Sequence, residues 1–557
     1  MKRTTDLGAV FRKGISPADR GSPGVVQESV EIDGVLFDRD VAVTLRDGKT
    51  LYVDVFRPVG QVDLPAIIEY APFGKNRKVD WDIFRDAEVP VDDLWPGTPF
   101  ENHDPIDWAK DGFVMVHADG RGSWNSEGRV TFFGPEEAEA GYDLVEWVAT
   151  QPWSNGKVGW GGCSYFGMTA WSVAALQPPH LACIMPWEAA SDVFREAYFH
   201  GGIPVCPFTH AWMQLTSVSL DEVEDMEVSQ WTHLLFDEYW KSKVADWSKV
   251  EVPVFAVTGW PAQGIHVRGT IEAYMGVSSP EKWLYLHAEK EWAAFYNERN
   301  VAMQKAFYAR YLRGDETQVD KWPRVRLQVR TAGKESLERA EEAWPLPSTR
   351  YSALYLDAAT GGLRETALSE EATVSYDSAD KDDRAQFDLR FDVDTEITGH
   401  AKVRLWLSAR EMNDADLFVG FQKLDQDGNV VNFPYFGQFE DGHVAYGWLR
   451  VSHRELDEAR SRPERPYLKH ERMLFLQDHD PVPVDVEMWP SSTFFAAGES
   501  LRVVIQGSDL NTYEGEGLHY ANHYPLRNYG RHVIHTGGNY DSHVLLPLVR
   551  GWKGTCG

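Results

Sequence analysis

Between residues 64 and 287, short apolar runs rich in β-branched residues alternate with longer stretches of helical period. The runs are "LPAIIEYAP", "GFVMVHADGRG", "GKVGWGGCS", "LACIMPWEA", "VPVFAVTGW" and "EKWLYLH". This alternation predicts a parallel α/β sheet, because parallel strands are buried on both faces and need crossover segments between them. Each run ends in a loop rich in Gly, Pro, Asp or His, and open α/β sheets place ligands at the carboxyl ends of their strands. Between "PWEAASD" and "KVEVPVFAV" lie about 55 residues of helical, aromatic-bearing periodicity, enough to predict a cap over those loops. After "EEAWPLPSTRY" the pattern becomes apolar and polar in strict alternation, as in "AKVRLWLSA" and "LRVVIQG", which predicts an antiparallel all-β domain of sandwich or jelly-roll type. The predicted divisions are residues 1–190 for the first part of the α/β core, 191–249 for the helical cap, 250–345 for the second part of the core and 346–557 for the β domain.

Charge narrows the partners. With 55 basic and 85 acidic residues the formal net charge is −30, which repels nucleic-acid backbones and anionic membrane surfaces. A small molecule is the expected partner, and a homo-oligomer is compatible with the composition. The N-terminus has no apolar run of signal-peptide length, so a cytoplasmic location is expected. Four cysteines without a CxxC pair do not form a disulfide framework.

The stretch "GWGGCSYFG", residues 159–167, packs four glycines around Ser164 directly after an apolar run. Small neighbours of this kind permit a sharp strand-to-helix turn on which a serine hydroxyl is exposed as a nucleophile, and "FGMTAWSVAAL" supplies the helix that follows.

"GCSYFG", together with "DGRGSWNSEG" at 119–128 and "YDLVEWVATQPWSNGKVGW" between them, resembles the cocaine esterase, α-amino acid ester hydrolase and X-Pro dipeptidyl-peptidase (CocE/NonD) family of serine hydrolases. "GHAKVRLWLSA", "VEMWPSSTFFAAGESLRVVIQG" and "HTGGNYDSHVLLP" resemble that family's C-terminal jelly roll. The resemblance implies an α/β-hydrolase core with a helical cap and a β domain, and no cofactor or metal. It implies Ser164 as the nucleophile, His287 as the general base, and the backbone N–H of Tyr165 as an oxyanion donor.

Two positions depart from that family. Its triad acid stands in a "GWxD"-like stretch, but this chain reads "TGWPAQG", with Ala262 at the acid position. Losing the corresponding Asp costs a serine protease about 10⁴-fold in kcat. The family's oxyanion tyrosine stands in a "PYxK"-like turn, but this chain reads "APFGKNR", with Phe73 in that place. One missing oxyanion donor costs about 10² to 10³-fold, although backbone N–H groups at Phe73 or Gly74 can substitute. Glu188 in "MPWEAASD" is the candidate replacement acid, Asp192 the second choice, and His266 in "GIHVRG" a possible member of a hydrogen-bond chain.

The expected function is therefore cleavage of a carboxylic ester or amide through an acyl-enzyme on Ser164. The alternative is a hydrolase scaffold repurposed for acyl transfer, elimination or cyclisation. Trp212, Trp231 and Trp240 in the cap segment are the expected substrate-binding residues, suited to a bulky apolar or aromatic group. His519 and His523 stand four apart with His532, His535 and His543 nearby, but Asn522, Pro525 and the surrounding aromatics favour a loop of the β domain, and no HExxH or paired-Cys pattern supports a metal.

Overall fold

The computed structural model describes residues 2–77, 86–477, 480–513 and 522–550; His519 and Cys556 lie outside these. Its N-terminal half is built on one sheet. A hairpin of β1 (Val35–Thr44) and β2 (Thr50–Pro58) leads into β3 (Leu64–Ala71), β4 (Val114–Asp119), β5 (Ser154–Cys163) and β6 (Leu181–Trp187). The sheet then continues through β7 (Val254–Gly259), β8 (Lys282–His287) and β9 (Val325–Ala332), and an antiparallel partner, β10 (Glu335–Glu341), closes its edge. The spatial order is β1-β2-β4-β3-β5-β6-β7-β8-β9-β10, and every neighbour from β4 to β9 is parallel. Residues of β3, β4 and β7 are buried along their whole length, as strands covered on both faces must be. Six apolar runs read from the sequence correspond to β3 through β8.

Helices α1 (Pro135–Ala149) and α2 (Tyr165–Ala175) cover β5, with the Trp160 ring between them. The Trp160 indole is anchored by donating to the Thr169 hydroxyl at 3.2 Å. Between β6 and β7 the chain forms α3 (Cys206–Thr216), α4 (Met226–Thr232) and the single turn α5 (Glu238–Lys241). Past β7 come α6 (Val267–Gly276) and, after β8, α7 (Glu291–Tyr296).

The C-terminal half is almost entirely antiparallel. Its strands are β11 (Arg350–Asp357), β12 (Gly362–Arg364), β13 (Ala385–Arg390), β14 (Thr395–Arg410) and β15 (Asp416–Leu424). Then follow β16 (Ala445–Arg450), β17 (Val482–Phe495), β18 (Ser500–Gln506) and β19 (His543–Arg550). Their pairings run β11-β19-β14-β17-β16-β15-β18-β13-β12 and return to β11, so the strands close into a barrel around a second hydrophobic core. Closure removes the exposed strand edges that an open sheet would present.

The two halves meet at Arg330 in β9. Its guanidinium, fully buried, donates to the carbonyls of Ser492 (3.2 Å), His443 (3.2 Å) and Val444 (2.7 Å) and to the hydroxyls of Ser491 (2.7 Å) and Thr493 (3.2 Å). It also stacks over Phe433 at 4.6 Å. Truncation leaves several buried acceptors without a donor, a loss of about 3 kcal/mol or more. Arg330→Ala is expected to split urea unfolding into two transitions, the barrel separating from the α/β half. A single transition shifted by less than about 1 kcal/mol would show that this residue does not join the halves.

Candidate active site

Ser164 stands between β5 and α2 with φ 55° and ψ −117°, a conformation that L-residues adopt only under constraint. The surrounding glycines supply that constraint. Gly162 has φ 122°, and a Cβ there would meet the Phe166 Cβ at 2.6 Å, while a Cβ at Gly167 would lie 2.9 Å from the Trp187 nitrogen. The Ser164 N–H donates to the Trp187 carbonyl at 2.9 Å, which ties the turn to the end of β6. Tyr165 opens α2, where a backbone N–H has no intrahelical acceptor and is free to face a developing negative charge.

Ser164 opens onto a cavity of about 40 Å³. Its walls are aromatic: Phe73, Phe100, Phe133, Tyr165, Phe208 and Trp212. The Phe73 ring packs edge-on against Tyr165 at 5.8 Å, so this position contributes an apolar wall and no hydroxyl. Trp212 stacks on Tyr165 at 6.1 Å. The other two expected substrate tryptophans are elsewhere. Trp231 is 45% exposed at the surface, and Trp240 is buried among Phe194 and Tyr198 with its indole donating to the His233 carbonyl at 2.7 Å. The expected room for a bulky group is likewise not there, because the cap aromatics fill it.

Ala262 sits three residues past β7, buried, its carbonyl accepting from the His266 N–H at 3.1 Å. It brings a methyl group where an acid was expected. Glu188 and His287 do come together, with Glu188 Oε1 3.0 Å from His287 Nε2. The approach is oblique to the ring N–H direction, an ion-pair contact more than an aligned hydrogen bond. Glu188, held at φ 45°, also accepts from the Gly259 N–H and the Thr258 hydroxyl, each at 2.7 Å. His287 Nδ1 faces the Glu289 carbonyl at 3.2 Å. The pair thus clamps the ends of β6, β7 and β8. No hydrogen bond among the described residues joins His287 to Ser164, and His287 does not line the serine's cavity. Asp192 is also occupied elsewhere, paired with Arg195 at 2.6 Å.

Glu101 lines the same cavity as Ser164. Its loop is pinned by Glu69 at the end of β3. That carboxylate accepts from the His103 N–H at 2.9 Å and from the Asn102 amide at 3.1 Å, and it faces His103 Nδ1 at 2.7 Å and His117 Nε2 at 2.9 Å. Burial alone would raise Glu69, yet the two histidines hold it down at about 2, so it stays ionised. Glu101, at φ 62°, accepts from the Trp292 indole at 2.9 Å.

Behind Glu101 lies Glu291. The Glu101 and Glu291 oxygens and the Cys163 sulfur all fall within 4.8 Å of one another, each residue buried. Cys163 Sγ is 3.8 Å from Glu291 Oε1, and His266 Nε2 is 3.2 Å from the same oxygen. Burial pushes both carboxyls well above the usual range, and the charge of Glu291 pushes Glu101 further. Burial also keeps His266 at about 4, a neutral imidazole. Among the described residues this is the cluster whose spacing could hold a metal ion. In each carboxyl Oε1 has a protein partner, the Trp292 indole on Glu101 and the Cys163 thiol on Glu291, while Oε2 has no hydrogen-bond partner among the described residues. Sequence reasoning missed Glu101 and Glu291, since "FENHDP" and "AEKEW" carry no motif and their meeting depends on the fold.

Such a serine, on a strand-to-helix elbow at the carboxyl edge of this sheet, defines an α/β-hydrolase-type serine enzyme. The model of the X-Pro dipeptidyl-peptidase S15 family matches residues 47–233, and that of the X-Pro dipeptidyl-peptidase C-terminal non-catalytic domain matches residues 317–545. The solved CocE/NonD family hydrolase from Staphylococcus aureus superposes with a TM-score of 0.91 at 36% identity, over 97% of this chain and 99% of that one. Cocaine esterase from Rhodococcus sp. is 23% identical over 92% of this chain and 98% of its own. The fold extends to an α-amino acid ester hydrolase, with a TM-score of 0.70 at 16% identity over 95% of this chain and 98% of that one. The chain belongs to the CocE/NonD hydrolases and is an enzyme of the serine esterase/peptidase type. These relatives lend nothing to a non-hydrolytic role for the scaffold. Among the described residues no helix is long and apolar enough to cross a membrane.

The Glu188–His287 clamp carries a pH signature. Burial opposes the imidazolium, but the close contact with the Glu188 carboxylate and its charge outweigh it and leave His287 above its ordinary value. A group raised on folding stabilises fully below its unfolded value, about 6.5, and the contribution fades as pH climbs through the folded value. The stability gap between the natural chain and His287→Gln, measured by urea unfolding from pH 6 to 9, is therefore expected to narrow as pH rises. A gap that widens would contradict the assignment.

Proposed function

We propose that this protein hydrolyses a small carboxylic ester or amide through an acyl-enzyme on Ser164. The observation that carries this reading is the strained serine on an aromatic-walled cavity, beside the Tyr165 N–H that begins α2. In this reading the Ser164 oxygen adds to the substrate carbonyl, and the Tyr165 N–H with a backbone N–H near Phe73 holds the oxyanion. The missing tyrosine hydroxyl at Phe73 is then made good by backbone groups. Water later attacks the ester carbonyl on Ser164 and frees the acid. A fluorophosphonate probe is expected to label the peptide containing Ser164 and to leave Ser164→Ala unlabelled; folded protein that takes up no label sinks the acyl-enzyme.

Acyl size follows from volume. So small a cavity favours a short acyl group, and Trp212 is one of the walls a longer chain would press against. Trp212→Ala is expected to raise the ratio of kcat/KM for a butyryl over an acetyl ester by about tenfold or more, given 1–3 kcal/mol for each misfitting methylene. An unchanged ratio would remove Trp212 as the gauge of chain length.

A further inference from the structure

The serine's small cavity has a larger neighbour. A second cavity, of about 510 Å³, adjoins it, and Phe133 is the residue that lines both. Leu7, Ala138, Leu176 and Val244 give the second cavity apolar walls. Three of its four lysines are paired with acids, Lys241 with Glu238 at 3.4 Å, Lys243 with Glu224 at 2.8 Å and Lys249 with Asp246 at 3.5 Å. With those charges matched, the room suits an uncharged chain.

One face of α2 runs through both cavities. The residues of α2 that are not buried are Met168, Ser172 and Ala175, spaced four and three apart and therefore on one side of the helix. Met168 lines the serine's cavity together with Ser164, whereas Ser172, Ala175 and then Leu176 line the second cavity. From Met168 to Ala175 is about 10 Å of helix. The cavities are thus successive rooms along one helix face, with Phe133 set between them. Trp212 lines the first room and not the second.

Phe133 is held in place against its own preference. Its φ is 56°, in the left-handed region that a bulky side chain disfavours, and such outliers persist only where the surroundings over-determine them. The chain on either side is fixed: the Phe132 N–H donates to the Glu224 carboxylate at 2.9 Å, and a Cβ at Gly134 would lie 2.6 Å from Thr4 Oγ1. The Phe133 N–H donates to one oxygen of Glu137 at 2.7 Å, and the other oxygen accepts from the Tyr165 hydroxyl at 2.8 Å. One carboxyl thus ties Phe133 to the residue after Ser164. The ring then packs 4.7 Å from Tyr165 and stacks on Trp212 at 6.0 Å. Resting on the acyl-enzyme reading, we propose that Phe133 is the residue that sets acyl length. Its strained backbone holds the ring as a partition across a groove along α2, which confines the enzyme to short acyl groups. The second cavity is the continuation of that groove, and it receives a longer linear apolar chain once the ring is removed.

The test measures kcat/KM for phenyl acetate, phenyl butyrate and phenyl octanoate, alongside fluorophosphonate labelling. Phe133→Gly is expected to raise the octanoate-to-acetate ratio by about 10²-fold or more, since even one misfitting methylene is worth about tenfold or more. Trp212→Ala, which opens only the first room, is expected to raise that ratio by less than about tenfold. Adding Ala175→Trp to Phe133→Gly refills the second cavity and is expected to cancel the octanoate gain. Glycine alone takes φ 56° without strain, so Phe133→Gly is expected to unfold at a higher urea midpoint than Phe133→Ala. Phe133→Ala carries the kinetic test if the glycine variant does not fold. An unchanged octanoate ratio in a folded variant overturns the proposal, as does an equal gain in Trp212→Ala or a gain that survives Ala175→Trp. A midpoint for Phe133→Ala at or above that of Phe133→Gly overturns the strained partition. Label on Ser164 with an unchanged ratio sinks the partition and spares the acyl-enzyme; absence of label in the natural chain sinks the acyl-enzyme, and the partition with it.

Discussion

The reversed backbone at Ser164 is the constraint around which this half of the molecule is arranged. A residue at φ 55° and ψ −117° is held there only if its surroundings leave no relaxed alternative. Those surroundings are the chain's own backbone: the Trp187 carbonyl receives the Ser164 N–H, and the main chain of β6 approaches Gly167 too closely for any side chain. The position of Ser164 is thus set by the contact between β5, β6 and α2, and a side chain on a loop could not be placed as firmly.

The polar groups behind the serine divide into two sets with opposite duties. Glu69 with its histidines and Glu188 with His287 are saturated: each carboxylate takes donors from several elements and each fixes a strand end or a loop. Glu101 and Glu291 are under-supplied, face each other, and share an environment that disfavours charge. Saturated pairs hold a structure, whereas the second pair leaves one oxygen of each carboxyl without a partner among the described residues. Cap aromatics, among them Phe208 and Trp212, complete the arrangement by walling the serine's cavity.

The barrel contributes by enclosure and anchorage. Arg330 reaches it from β9 with a charge satisfied by carbonyls and hydroxyls, a bond set that requires both halves to be in register. From the other side the barrel meets the catalytic half near α7, where Trp292 packs against Phe436 at 6.2 Å while its indole supports Glu101. A buried ring contact therefore links the barrel to the residue that holds Glu101 at the wall of the serine's cavity.

What the chain's one-dimensional pattern determined is what depends on local spacing. Runs such as "AIIEYA" and "VPVFAV" are buried strands because few other arrangements hide so continuous an apolar stretch, and the glycines around Ser164 mark the elbow because nothing larger fits there. Ala262 and Phe73 could also be read directly, as an acid and a hydroxyl that the chain does not have. The carboxyls near the serine could not. Glu101 and Glu291 stand 190 positions apart, in segments with no distinguishing motif, and only the tertiary structure decides that they meet behind Ser164 while His287 turns to Glu188. Proximity and burial set the chemistry of a carboxyl, and neither is encoded at the position of the carboxyl itself.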